Sequence, residues 1–182
     1  MKAIPAMESG KYLRNTQMSE KHQLSIIDAY DRNDEVKVLF YEYTKMLLSI
    51  DPSFSIYLDL QHYEDEAANP AVKYSLPYGR LYIALCDGRV AGCIALRPLD
   101  EGKCELKRLY VRPGFRGKGI ARKLCEKIIQ EARAIGYKEI YLDTLPELKD
   151  AIILYEKLGF EKTECYNDSP IEKTIFMKKI LN

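Results

Sequence analysis

Arg116-Gly117-Lys118-Gly119 joins a strand-like run to the start of an amphipathic helix pattern. Such a junction can hold an anion. The first turn of a helix leaves backbone N–H groups without intrahelical partners, and its dipole favours negative charge. Gly117 and Gly119 keep the approach clear, while Arg116 and Lys118 add positive charge. The spacing departs from the two nucleotide-binding patterns G-x-x-x-x-G-K-[ST] and G-x-G-x-x-G. A glycine pair before a helix also serves as a plain tight connection, and the loop alone leaves that alternative open.

Other chemistries are poorly supplied. His22 and His62 are the only histidines, and neither has a cysteine, carboxylate or serine motif around it in the sequence. That argues against a zinc site and a histidine-based triad. The five cysteines, Cys86, Cys93, Cys104, Cys125 and Cys165, contain no C-x-x-C pair. They read as reduced thiols, mostly filling core space. The 28 Lys and Arg nearly balance 27 Asp and Glu, so bulk charge draws the chain neither to nucleic acid nor to an anionic membrane. With no membrane-length apolar run and no signal-peptide pattern, a cytoplasmic location is the default expectation.

The elements that position the glycine loop follow from periodicity. The 182 residues suit one core, and residues 1–22, broken by Pro5 and Gly10, read as an extension of a domain covering 23–182. Gln23–Tyr30 is an expected strand. Glu35–Ile50 repeats apolar residues at helical spacing (Val36, Leu39, Phe40, Tyr43, Met46, Leu47), with Asn33 or Asp34 as its N-cap. Phe54–Ala68 reads as a second helix carrying Ile56, Leu60 and Tyr63 on one side. Its acidic end, Glu64-Asp65-Glu66, reads as solvated surface, and Asn69–Gly79 as an aromatic-rich loop.

Arg80–Cys86 and Arg89–Leu96 flank Asp87-Gly88, a hairpin signature. Lys103–Arg112 is the next strand, followed by a helix over Gly117–Ile135 with Gly136 as its C-cap. Lys138–Thr144 should lie parallel to Lys103–Arg112, because a long helix connects them. A helix over Glu147–Leu158 ends at Gly159, and Phe160–Tyr166 and Ile171–Ile180 are final strands around a turn at 167–170. The class is α/β (α+β), with antiparallel strands on either side of one parallel crossover.

Three motifs together resemble a known family. Arg116-Gly117-Lys118-Gly119-Ile120-Ala121 fits the [QR]-x-x-G-x-[GA] signature of the Gcn5-related N-acetyltransferases. Leu109-Tyr110-Val111-Arg112-Pro113 resembles that family's bulged strand, and Leu154-Tyr155-Glu156-Lys157-Leu158-Gly159-Phe160 its L-Y-x-K-x-G-F motif. The resemblance spans about Gln23 to Ile180. It implies a mostly antiparallel twisted sheet of six to seven strands, about four helices, and one parallel pair splayed for CoA. It also implies transfer of an acetyl group from acetyl-CoA to an amine, directly and without a metal.

The residue roles are carried over by the same resemblance. Backbone amides of Arg116, Gly117, Lys118, Gly119, Ile120 and Ala121 would cradle the pyrophosphate. Main-chain groups of Leu109, Tyr110 and Val111 would bind the pantetheine as a neighbouring strand, and an amide there, of Val111 or Leu109, would face the thioester oxygen. Tyr155 would contact the cofactor and protonate the departing sulfur. Glu105 aligns with the family's base, and strand alternation puts it on one face with Lys107, Leu109 and Val111. The alternative for Glu105 is a structural ion pair with Lys107 or Arg108. Where many relatives carry an asparagine that contacts CoA, this chain has Leu148.

The acceptor would be a primary amine on a small molecule or peptide. Its cleft is expected between the first two helices and the loops Lys73–Gly79 and Cys165–Ile171, with Tyr74, Tyr78 and Tyr166 lining it. Two other functions fit the same motifs: a non-catalytic acyl-CoA-binding module, and an acetyltransferase of protein N-termini or lysines. No nucleic-acid or membrane partner is expected, and the chain would act as a monomer or homodimer.

Overall fold

In a computed structural model, which describes residues 22–60, 63–169 and 171–182, the chain opens with strand β1 (Leu24–Asp28) and helix α1 (Asn33–Ile50). Three short helices follow: α2 (Phe54–Leu60), α3 (Tyr63–Ala68) and α4 (Pro70–Lys73). The hairpin is β2 (Arg80–Cys86) and β3 (Arg89–Asp100), with Asp87 and Gly88 at φ 52° and 74°, as a two-residue turn requires. Next come β4 (Lys103–Val111), α5 (Ile120–Ile135) and β5 (Glu139–Thr144). The chain closes with α6 (Lys149–Lys157), β6 (Glu161–Lys162) and β7 (Ile175–Ile180).

The seven strands form one sheet in the order β1-β2-β3-β4-β5-β7-β6. Every neighbouring pair is antiparallel except β4 and β5, the two joined through α5. Helix α5 lays Ile120, Leu124, Ile128 and Ala132 on one face of the sheet against Leu106, Ile140 and Leu142. On the opposite face, Val36, Leu39 and Phe40 of α1 pack on Leu81, Ile83 and Ala95. Each such Leu or Ile removed from water contributes about 1.5–3 kcal/mol, so two helices, one per face, hold the sheet in place.

Several boundaries differ from the sequence expectations. The glycines between β4 and α5 delay the helix: Gly117 and Gly119 sit at φ 76° and 74°, left-handed values that stop helical turns, so α5 begins at Ile120. The helix expected over Phe54–Ala68 is two helices, and Ile56, expected on a packed side, is 57% exposed. α4 lies within the expected loop Asn69–Gly79, bringing the helices to six among the described residues. α1 begins at Asn33 itself, and Arg32 pairs with Glu35 at its start without a side-chain cap. β3 continues past Leu96 to Asp100, while only Glu161–Lys162 and Ile175–Ile180 of the last two expected strands are paired. The expected extension lies outside the described residues except for His22, and so does His62.

The acidic run is not all solvated. Glu66 is 2% exposed and receives two hydrogen bonds from Arg108, at 2.5 and 2.9 Å, one from Lys73 at 2.5 Å and one from Tyr74 Oη at 2.6 Å. The rings of Phe40 and Tyr63 flank the same guanidinium. Glu64 and Asp65 are exposed. Only the tertiary position of Arg108 distinguishes the third carboxylate from its neighbours.

Candidate active site

The parallel ladder is short: Lys103–Glu105 pair with Glu139–Tyr141, and there the ladder ends. Beyond it, a cleft of about 610 Å³ opens between the two strands, floored by α6 and closed at one end by the glycine loop. A volume of this size suits an extended organic ligand.

A bulge in β4 shapes one wall. Cys93 pairs with Tyr110 and Ala95 with Lys107, so two residues, Arg108 and Leu109, stand opposite Ile94 alone. Arg108 takes φ 59°, and the extra residue reverses the strand's alternation. Cys104 and Leu106 before the bulge, and Leu109 and Val111 after it, all face the α5 side. Glu105 and Lys107 belong to the other face, where Tyr110 packs with the α1 residues. The expected sharing of one face by Glu105, Lys107, Leu109 and Val111 is therefore incorrect, because simple alternation does not survive a one-residue insertion. Gly92 makes room for the distorted strand: a Cβ there would lie 2.3 Å from the Tyr110 carbonyl oxygen.

Of the residues expected to bind the cofactor, Leu109, Tyr110, Val111, Arg116, Gly117, Gly119, Ile120, Ala121 and Tyr155 line the cleft. Lys118 is not among the lining residues; its ammonium lies over the Phe115 ring, 5.8 Å from the centroid. No side chain caps the start of α5, and its first turn holds no acidic residue. A Cβ at Gly117 or Gly119 would meet nothing within 4 Å. The first-turn amides thus face open space in an electropositive setting, which suits a phosphate group. Arg116 Nε donates to the Val111 carbonyl at 3.1 Å, tying the loop to the bulged strand. Leu148 lines the cleft as an apolar side chain.

A second, smaller cavity, about 40 Å³, lies toward α1 and α2 and shares Tyr43, Leu109, Asp143, Thr144, Leu148 and Tyr155 with the large cleft. These residues mark where the two spaces meet. Tyr155 is 5% exposed and packs edge-on against Phe160. Burial, reinforced by Cys125, Tyr43 and Asp143, pushes its phenol well above the ordinary tyrosine range, so it stays protonated at neutral pH. Burial likewise pushes Tyr43 up to about 12.

Glu105 is fully buried. Its carboxylate accepts from Arg97 Nε at 2.5 Å and Tyr166 Oη at 2.9 Å, and Lys107 Nζ stands 3.5 Å away. It lines neither cavity. Tyr166 is half-buried, stacked between Tyr141 and Phe176 beside Glu105. Tyr74 is fully buried, edge-on to Phe40 and bonded to Glu66, so it is a core residue rather than an exposed cleft lining. Tyr78 is 61% exposed, and its carbonyl accepts from Tyr137 Oη just beyond the far end of α5. Both positions follow from the Lys73–Gly79 segment turning under α1 at one tyrosine and out to solvent at the next.

Sequence reasoning missed Tyr43 and Asp143. Asp143 is 10% exposed at its side chain, 3.3 Å from Lys107 Nζ, and accepts from Asn167 Nδ2 at 3.1 Å. The available signal was a carboxylate next to the last residue of the strand expected to lie parallel to Lys103–Arg112. His22, described above as lacking a carboxylate nearby in sequence, meets Asp87 at 2.7 Å, 65 residues away, with Cys86 close by. Burial pushes the Cys93 and Cys125 thiols up to about 12 and Cys104 higher still. None of these three is a thiolate nucleophile at neutral pH.

A splayed parallel pair, a bulge beside it and a glycine-opened helix start define an acyl-CoA-dependent transferase fold. The family model described as acetyltransferase (GNAT) family matches residues 44–160, and the chain belongs to that family. An uncharacterised N-acetyltransferase of Schizosaccharomyces pombe is 39% identical over 147 residues, covering 80% of this chain and 86% of the relative. An acetyltransferase from Streptococcus agalactiae superposes with a TM-score of 0.71 at 27% identity, covering 87% of this chain and 98% of that one. A PaiA N-acetyltransferase from Thermoplasma acidophilum, solved with coenzyme A, shares the fold with a TM-score of 0.69 at 18% identity, covering 87% and 99%. The chain is an N-acetyltransferase.

Proposed function

We propose that the cleft between β4 and β5 binds the acetyl-CoA donor, and that the smaller cavity admits a primary amine of a small molecule or peptide for direct transfer. The observation that carries this reading is the position of Tyr155, which lines both spaces where they meet. Acetyl-CoA supplies an acyl group on a thiol leaving group. The first-turn amides of α5 hold its pyrophosphate, and main-chain groups of Leu109, Tyr110 and Val111 hold the pantetheine in the wedge left by the short ladder. Tyr155, kept neutral by burial, has a proton to give to the departing sulfur. Glu105, locked among Arg97, Lys107 and Tyr166, holds Lys107 beside the smaller cavity.

The catalytic domain covers residues 23–182, in line with a sheet built from Leu24 to Ile180. Unpaired cysteines, four of them buried, support a cytoplasmic location. No helix among the described residues is long and apolar enough to cross a membrane.

Release of free thiol from acetyl-CoA, followed with amino acids, polyamines and a lysine-containing peptide, tests the function. Turnover dependent on one amine class is the expected result. Tight acetyl-CoA binding with no thiol released by any amine would overturn it in favour of a non-catalytic acyl-CoA module.

A further inference from the structure

We propose that Asp143, rather than Glu105, is the carboxylate that receives the acceptor's ammonium group and its proton. The inference deepens the direct-transfer reading above and rests on it.

Accessibility separates the two carboxylates. Glu105 has no surface exposed to a water-sized sphere, and its oxygens are taken by Arg97 and Tyr166 with Lys107 alongside. An amine cannot touch it without displacing that cluster. Asp143 keeps 10% of its side chain exposed and lines both the donor cleft and the smaller cavity. Its position follows from the fold: Tyr141 is the last residue of β5 paired with β4, and Asp143, two residues on and on the same face, is the first carboxylate past the point where the strands part.

Its surroundings keep it aimed. Lys107 Nζ stands 3.3 Å from Oδ1 and Asn167 Nδ2 donates to Oδ2 at 3.1 Å, so each oxygen is held by a different neighbour. Tyr155 shares both cavities with Asp143 and feels its charge. The proton acceptor and the proton donor therefore border the same small volume, as a step that moves one proton off nitrogen and another onto sulfur requires.

The balance is as follows. The acceptor's ammonium gives one proton to the Asp143 carboxylate, which passes it to solvent through the open cleft. The freed nitrogen lone pair forms the C–N bond to the acetyl carbon, and the C–S bond breaks. Sulfur takes the Tyr155 phenol proton, and the second N–H proton returns to Tyr155. One ammonium and one thioester become one amide, one thiol and one released proton.

The test uses two nucleophiles on the full chain: propylamine, almost entirely ammonium at pH 7.5, and hydroxylamine, largely unprotonated there. Asp143→Asn should lower kcat/KM for propylamine by about 100-fold or more, with hydroxylamine affected less than fivefold and acetyl-CoA affinity by calorimetry unchanged. Asp143→Glu, which retains the carboxylate, should recover part of the propylamine rate. Asp143→Ser replaces the Asn variant if that one fails to bind acetyl-CoA. Equal losses with both nucleophiles, or a larger loss from Glu105→Gln than from Asp143→Asn, would overturn the assignment. Wild-type protein that binds acetyl-CoA yet releases no thiol with these nucleophiles or with any amine of the panel above would instead overturn the direct-transfer reading beneath it.

Discussion

Replacing Glu66 with Gln removes the negative member of the buried fork that anchors the β4 bulge. Arg108 is 4% exposed and Glu66 2%, so neither charge can turn to bulk water when its partner is lost. Burial by itself would push the Glu66 carboxyl up, but Arg108, through charge and hydrogen bonds, and then Lys73 more than offset that and bring it down to about 2. Against an ordinary glutamate near 4.5, that difference corresponds to about 3 kcal/mol of folding stability. Breaking a buried pair from one side costs about 3–5 kcal/mol, and the two magnitudes agree.

The sign gives a further check. Because the folded-state value is depressed, the contribution is fully present above about pH 4.5 and is lost as pH falls toward 2. Urea denaturation should therefore show the Gln variant about 3 kcal/mol less stable at pH 7, with the gap to wild type narrowing by about 2 kcal/mol at pH 3. A variant within 0.5 kcal/mol of wild type at pH 7 (~a tenth of a typical domain's stability), or a gap that stays constant with pH, would refute the account. Since Arg108 is the bulged residue itself, the surviving folded fraction should also show a lower kcat with little change in acetyl-CoA affinity.

Tyr155→Phe should lower kcat by about 100-fold while leaving acetyl-CoA binding intact, measured by thiol release and calorimetry; an unaltered kcat removes Tyr155 as the proton donor. Gly119→Val should weaken acetyl-CoA binding at least tenfold, because it puts a branched side chain before the α5 amides and forces a left-handed conformation costing about 1–2 kcal/mol; titration calorimetry reads the first effect and thermal melting the second. Gly92→Ala should lower stability by about 2 kcal/mol, since its Cβ would sit 2.3 Å from the Tyr110 carbonyl oxygen. A melting temperature equal to wild type would mean that β3 and β4 can separate there at no cost.

The local signals that proved readable share a short range. Asp87-Gly88 specifies its turn from two adjacent residues, and Ile120, Leu124, Ile128 and Ala132 mark the buried face of α5 by spacing alone. The L-Y-E-K-L-G-F run places Tyr155 because helix and strand keep a constant offset over a few residues. What escaped was set by chain segments distant in sequence. The likeness of Leu109-Tyr110-Val111-Arg112-Pro113 to a bulged strand implied a bulge, but its position at Arg108 and the reversed alternation follow from the register between β3 and β4. Glu66 resembles Glu64 and Asp65 until Arg108, 42 residues away, claims it. Tyr74 and Tyr78 look alike in a loop, yet one is buried under α1 and the other faces solvent.

By itself the sequence determined the β2–β3 hairpin, the parallel crossover and the glycine turn before α5, because each depends on hydrogen-bonding and packing rules that act within one element and its neighbour. The tertiary structure alone decided which carboxylate meets the cleft. Glu105 and Asp143 both lie on strands beside apolar residues, and their surroundings diverge because β4 and β5 part after Tyr141. That separation comes from pairing between strands, and it leaves Glu105 sealed where the ladder holds and Asp143 open where it ends.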